Sequence, residues 1–248
     1  MATPVSPLTA TTSRPTTCQP SATAPSISEH AGVADAQHRR TLGRRVRQLH
    51  ARIGRAHHQA EGMPFSRALL AGAATPLQLA ALIRNLAPAY ALLESRLPAV
   101  AAALGSCCYP WPWPALERSA ALRHDQAILA SLPATPPSAA AAVWLEQLRV
   151  LADQAPHRLM AHAYVRYGGD LSGGQQLAEQ ARQILERHDL PNLNFWVFDR
   201  PTGELKSALH EGFEQLQLSD QEEQELLEEA ELAFGATQSL LAELALIR

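Results

Sequence analysis

The 248-residue sequence predicts an all-α protein with a single folded domain, and three observations carry that expectation. From residue 37 onward, apolar residues recur at three- and four-residue spacing in one segment after another, the period of helices that each bury one face. The one strand-like run, Asn194-Phe195-Trp196-Val197-Phe198, has no second run to pair with and reads as a buried connector. No linker interrupts residues 38–248 apart from a short Trp/Pro stretch, and a chain of this length can bury a substantial core.

Residues 1–36 stand outside the domain that spans 37–248. They are rich in Ser, Thr, Pro and Ala without apolar periodicity, so they cannot bury enough surface to offset ordering entropy, and they read as a disordered tail. Leu42, Val46, Leu49 and Ile53 form the stripe of a helix over 38–61 that ends near Gly62 and Pro64, and His57 continues that stripe. Thr75-Pro76 is an N-cap and first-turn pair that opens a helix from 76 to about 96. Tyr109-Pro110-Trp111-Pro112-Trp113-Pro114 reads as a rigid, non-helical surface connection, because alternate prolines remove donors and push their predecessors to extended backbone. Further helices are expected over 115–131, 139–154, 157–188, 204–217 and 219–247.

Composition excludes several classes. Apolar content of 46% with 18% charged residues is ordinary for a soluble globular chain. No run approaches the roughly 20 uncharged apolar residues of a membrane span. The Ala-rich stretch 97–104 is too short and contains Pro98. Cys18, Cys107 and Cys108 give no disulfide framework, so a reducing cytoplasm is the expected compartment; the Ser/Thr-rich start, if it is a transit peptide, would instead address an organelle. The net charge of −3 hides an asymmetry. The first helix carries Arg39, Arg40, Arg44, Arg45, Arg47, Arg52 and Arg55, whereas residues 220–231 carry seven acids and no base. That acidic run argues against nucleic-acid binding and reads as a solvated helix face.

The residues with chemistry begin at 161–176, AHAYVRYGGDLSGGQQ, where two glycine pairs sit inside a helical pattern. A glycine in a helix interior is less favourable than alanine by about 1 kcal/mol, so Gly168, Gly169, Gly173 and Gly174 need a reason. Gly169 and Gly173 are four apart, as are Asp170 and Gly174, so each pair shares a face on which a flat ligand can approach the backbone. Leu171-Ser172-Gly173-Gly174-Gln175 also spells the signature of ABC-type ATPases, but those need a phosphate-binding GxxxxGK[ST] loop. The sole lysine, Lys206, follows Glu204-Leu205, so that loop does not exist here. On the first helix, Glu61 lies four residues after His57 on the same face, where a carboxylate can orient an imidazole ligand, while His58 points about 100° away.

The stretch 161–176 strongly resembles the distal-helix signature of heme oxygenases, which runs close to AHAYxRYxGDLSGGQ. His57-His58-Gln59-Ala60-Glu61 resembles the family's proximal HxxAE motif, and Trp113 to Asp125 approximates its PxxLxRxxALxxD stretch, all three in family order. The resemblance covers roughly residues 40–248 and implies a helical bundle with haem sandwiched between proximal and distal helices. It implies His57 as axial iron ligand, the backbone of Gly169, Gly173 and Gly174 against the porphyrin, and Asp170 holding the ordered water that delivers protons for O2 activation.

The resemblance further implies cations for the haem carboxylates. The family's late-helix lysine and arginine fall on Lys206 and His210, its first-helix lysine falls on His50 with Arg47 one turn away, and Tyr164 matches a residue near a carboxylate. The implied activity is oxidative opening of haem, at once cofactor and substrate, to biliverdin, carbon monoxide and iron. Electrons must come from outside, since no flavin or nicotinamide fingerprint is present, and the basic first helix suits an acidic ferredoxin or flavodoxin-type donor. The bilin would then pass to a user such as a bilin-binding photoreceptor. Two other readings remain at this point, a non-catalytic haem carrier, against which Asp170 speaks, and a haem-free thiaminase-like hydrolase, for which Cys107 and Cys108 beside the proline-rich loop are poorly placed. Because residues 1–36 hold no motif residue, a chain beginning near Ala34 should bind haem and melt as the full chain does, with the melting temperature of the haem-bound protein as the check.

Overall fold

Val46, Leu49, Ile53 and Ala60 put one buried stripe along the first helix, α1 (Arg44–Glu61), as the spacing requires. The computed structural model describes residues 42–106 and 111–248. The tail, the start of the basic segment at 38–41, all three cysteines and Tyr109-Pro110 lie outside the described residues.

The first turn of α1 has neither an acid nor a capping side chain of its own. Its free N–H groups are instead taken by Glu214, which accepts from Val46 N at 2.8 Å and Arg45 N at 3.3 Å. Arg45 in turn donates to the carbonyl oxygens of Phe213 and Leu216 (3.0 Å for the latter), just where the helix bearing Glu214 ends. Glu223 holds the Arg45 guanidinium from behind, at 2.7 Å.

A short helix, α2 (Pro64–Leu70), follows where the sequence pattern predicts only a stop. Pro64 occupies the first turn, where no N–H partner is needed, so it starts a helix and buries Phe65 and Leu69. The capping box of Thr75 and Gln78 opens α3 (Pro76–Ala101), which runs past the expected end near residue 96. Gln78 also donates through Nε2 to Leu244 O at 3.1 Å and Ile247 O at 3.2 Å, closing the far end of the last helix.

The Trp/Pro stretch departs from expectation. Trp113–Leu116 forms a single helical turn, α4, with Pro114 in its first turn, and Trp113 is buried rather than on the surface. Proline is tolerated there for the same reason as at Pro64. Beyond it come α5 (Ser119–Ile128), whose start is capped by the Glu94 carboxylate at Ser119 N (3.2 Å), and α6 (Ala139–Gln154), capped by Ser138 on Ala141 N and by Glu243 on Ala140 N (both 2.9 Å).

The expected helix over 157–188 is two helices, α7 (Leu159–Ser172) and α8 (Gly174–Glu186), meeting at Gly173. After a connector that includes the turn Val197 N to Asn194 O (2.9 Å), α9 (Thr202–Glu214) and α10 (Asp220–Leu244) complete the chain. Helix α10 packs along α1 and α7, α3 lies against α5 and α6, and α9 crosses α7. Phe195 and Trp196 are buried in the connector, whereas Val197 is exposed. Among the described residues no helix is long and apolar enough to cross a membrane.

The acidic run 220–231 is not simply a solvated face. Glu231 meets Arg52 at 3.0 Å, Glu225 meets His157 at 2.7 Å, and Glu229 is almost fully buried. Trp144 Nε1 can only donate, so His162 Nδ1 accepts from it at 3.1 Å and His162 Nε2 carries the proton toward Glu229 Oε1 at 2.9 Å. Arg158 and Gln147 reach the same carboxylate, each at 2.9 Å. Basic α1 and acidic α10 are therefore partners within one fold, joined at Arg45–Glu223 and Arg52–Glu231. Removing Glu229 would strand buried His162 and Arg158, so Glu229→Ala should cost on the order of 3 kcal/mol in urea unfolding, and Glu229→Gln distinctly less.

Candidate active site

A cavity of about 230 Å³ opens between α1, α2, α3, α10 and the α7–α8 junction, with the connector as part of its wall. Its apolar lining includes Phe65, Leu69, Leu82, Leu86, Trp196 and Phe234, and its polar groups are few, the usual make-up of a small-molecule site. His57 and Glu61 of α1 line one side; Gly169, Asp170 and Gly173 line the other.

His57 lies one turn beyond Ile53 on the buried stripe, yet its side chain is 54% exposed because what it faces is the cavity. Its Nδ1 stands 3.6 Å from Glu61 Oε1, and the ring packs edge-on to Phe234 at 5.8 Å between centroids. With Nδ1 turned to the carboxylate, Nε2 is the nitrogen left to ligate. His58 is 91% exposed and also reaches Glu61, at 3.5 Å.

Across the cavity, a Cβ built on Gly169 would meet nothing within 4 Å, and one on Gly173 would meet only Gly169 O at 3.8 Å. A flat ligand can therefore lie directly on that backbone. Gly174 serves another purpose. A Cβ there would come within 2.8 Å of the Trp196 ring, so this glycine seats the connector against α8.

Asp170 is buried beside the glycines, and its carboxylate accepts from the Tyr90 hydroxyl of α3, while Arg166 stands one turn back at 3.7 Å. Arg166 Nε also donates to Tyr90 Oη at 3.1 Å. Burial raises the Asp170 carboxyl above the usual carboxylate range, with Arg166 and the Tyr90 hydrogen bond opposing that rise. Burial likewise pushes the Tyr90 phenol well up, so it stays a proton donor. Sequence reasoning missed Tyr90 and Arg166. Arg166 was within reach, four residues before Asp170 in the same motif, but Tyr90 sits in an apolar helix with no local signal.

The remaining expected site residues lie elsewhere. Tyr164, His50, His210, Lys206, Arg47 and Gly174 are not among the residues that line the cavity. Tyr164 Oη is 3.1 Å from His50 Nδ1 and its ring stacks on His210 at 6.1 Å, so these three, from α7, α1 and α9, form one cluster. Burial raises the Tyr164 phenol. Lys206 is half-buried on α9, and Arg47 is exposed on α1.

The heme oxygenase family model matches residues 45–243, which takes in every element from α1 almost to the end of α10. The chain belongs to the heme oxygenase family. A heme oxygenase of Pyropia yezoensis is 28% identical over 201 residues, covering 77% of this chain and 81% of that one. Among solved structures, heme oxygenase-1 of the cyanobacterium Synechocystis in complex with heme superposes with a TM-score of 0.70 at 25% identity, over 79% of this chain and 90% of that one. The heme oxygenase of Leptospira interrogans gives 0.69 at 27% identity, over 79% and 97%.

The third heme oxygenase motif has a visible role in this fold. Arg118 is buried and donates to Leu116 O (3.0 Å), Phe195 O (3.4 Å) and Val197 O, while its guanidinium lies 4.0 Å from the Phe198 ring centre. Asp125 accepts from Asn194 N and Phe195 N, each at 2.8 Å by its nearer oxygen. The two charges clamp both ends of the connector and so fix Phe195 and Trp196 in the cavity wall. Two glycine substitutions separate the roles on the opposite wall. Gly169→Ala should raise the ligand-free stability, by up to about 1 kcal/mol from helix propensity, while weakening haem uptake in an absorbance titration. Gly174→Ala should lower the melting temperature, because buried Trp196 cannot step aside.

Proposed function

We propose that this chain binds haem in the cavity between α1 and the α7–α8 junction and opens it to biliverdin, carbon monoxide and iron, using O2 and electrons from an external donor. The observation that carries this reading is the pairing, across one cavity, of a ligating imidazole backed by Glu61 with a glycine wall that has room for a flat ring beside a buried carboxylate. The residues present fit a haem: Nε2 of His57 would hold its iron, and the backbone at Gly169 and Gly173 would lie against the ring. When bound, haem supplies both the oxidisable ring and the iron centre at which O2 is reduced; the protein contributes binding, orientation and protons.

Asp170 is the proton-holding group. Its carboxyl is buried at the cavity wall, where the Tyr90 hydroxyl and Arg166 keep it aimed. The apolar lining of Leu82, Leu86, Phe65 and Trp196 excludes bulk water there. The haem carboxylates would extend beyond the cavity lining, where the Tyr164–His50–His210 cluster and Lys206, with Arg47 in the adjacent turn of α1, would supply their hydrogen bonds. For the electron donor, the exposed arginines of α1 narrow to Arg44, Arg47 and Arg55, since Arg45 is held by Glu223 and Arg52 by Glu231. They form a basic patch for an acidic ferredoxin or flavodoxin-type protein. A bilin-using photoreceptor is the expected consumer downstream, in the cytoplasm.

The test is to add haem, then ascorbate or a ferredoxin system, and to read the product spectrum. His57→Ala should abolish turnover while leaving residual haem association through the carboxylate seats; full activity in this variant, or loss on His58→Ala instead, would reject the ligand assignment. Asp170→Ala should collapse the biliverdin yield without abolishing haem binding, and an unchanged yield would remove the proton role. Lys206→Ala and His210→Ala should broaden the biliverdin isomer ratio, read by chromatography of the product.

A further inference from the structure

Three aromatic side chains near the site, Trp111, Trp113 and Tyr167, have no part in the reaction described above, and they lead to Tyr90, which has one. Trp111 and Trp113 stack face to face, 4.6 Å between ring centres and 5° from parallel. Trp113 lies 6.3 Å from the Tyr167 ring, and Tyr167 lies 5.7 Å edge-to-face from Tyr90, whose hydroxyl reaches Asp170 at the cavity wall. Each separation falls within the range of interacting aromatic pairs. The four rings make an unbroken file of oxidisable side chains from the half-buried Trp111 to Tyr90, one hydrogen bond from Asp170 in the cavity wall.

The surroundings of each ring suit one-electron transfer. Both phenols have a carboxylate to take their proton, Asp170 for Tyr90 and Glu94 at 3.5 Å for Tyr167. The Trp113 indole Nε1 is buried and has no hydrogen-bond partner among the described residues, so this ring can pass an electron while keeping its proton. Trp111 is held against α9, where a Cβ on Gly212 would come within 2.6 Å of its ring, and it packs edge-on to Phe213 at 5.7 Å. Stacking spreads the charge of an oxidised indole over two rings.

We infer that Trp111, Trp113, Tyr167 and Tyr90 form a protective relay that drains stray oxidising equivalents from the cavity to the protein surface. The inference rests on the haem reading above, because bound haem with hydrogen peroxide is the source of the one-electron oxidant. Tyr90 gives one electron to that oxidant and its phenolic proton to Asp170. Tyr167 gives one electron to the Tyr90 radical, which recovers its proton from Asp170, and passes its own proton to Glu94. The Trp113–Trp111 pair gives one electron to the Tyr167 radical, which recovers its proton from Glu94. An external one-electron reductant, a thiol or ascorbate, then restores the indole pair. The net change is one oxidant reduced by one electron and one molecule of thiol or ascorbate oxidised by one.

The experiment uses the full chain loaded with ferric haem, uptake being checked first by absorbance. Hydrogen peroxide is added without an electron donor, samples are frozen for electron paramagnetic resonance, and indole oxidation is mapped by mass spectrometry with Trp144, outside the file, as internal control. The expected result is a tryptophan radical and oxidation concentrated at Trp111. In Trp113→Phe and Tyr167→Phe the tryptophan signal should be lost and Trp111 oxidation should fall to the level of Trp144. Failure of the wild type to take up haem would reject the haem reading itself. Haem uptake with no tryptophan radical in the wild type, or with Trp111 oxidation that persists unchanged in both variants, would overturn the relay alone.

Discussion

A buried carboxylate is the constraint from which the rest of this site follows. Asp170 sits on α7 where water cannot solvate it, and an unpaired charge there would cost several kcal/mol. Tyr90 and Arg166 meet that demand, which ties α3 to α7 and fixes one wall of the cavity. The same burial that threatens the fold raises the carboxyl above its ordinary value, against the pull of Arg166 and the Tyr90 hydrogen bond. Stability and chemistry thus draw on one contact, as they do wherever a site is built from a perturbed acid.

A second principle organises the bundle around that wall: several helix ends are satisfied by side chains from other helices. Glu214 covers the start of α1 and Arg45 the end of α9; Glu94 covers α5, Glu243 covers α6, and Gln78 closes α10. Each cap is worth about 1 kcal/mol, but its larger effect is geometric, because a cap from another helix fixes how two elements cross. His57 and Gly169 come from helices far apart in sequence. Their facing across one cavity is held by such ties and by the clamp of Arg118 and Asp125 on the connector.

The opposite charges of α1 and α10 acquire a structural meaning through the same logic. Arg45 and Arg52 find Glu223 and Glu231, while Glu229 turns inward to hold His162 and Arg158. What remains on the outer face of α1 is a smaller basic patch than the composition suggests, Arg44, Arg47 and Arg55. Donor docking and axial ligation are, on the reading proposed above, properties of a single helix.

The sequence by itself determined the helical class, most of the element positions, the family, and five of the residues around the cavity: His57, Glu61, Gly169, Asp170 and Gly173. These were legible because periodicity and motif spacing are local, and a histidine four residues from a glutamate shares its face whatever the rest of the chain does. The short helices at Pro64 and Trp113 were not, since a proline reads as a stop unless one knows that it occupies a first turn. Only the tertiary structure decided that Tyr90 completes the Asp170 contact, that Gly174 faces Trp196 and not the cavity, and that Tyr164, His50 and His210 gather apart from it. It also turned Glu229 from an expected surface charge into the centre of a buried network. In each case the deciding partner lies far along the chain, and such pairing is set by packing and by the need to satisfy buried polar groups, neither of which has a sequence period.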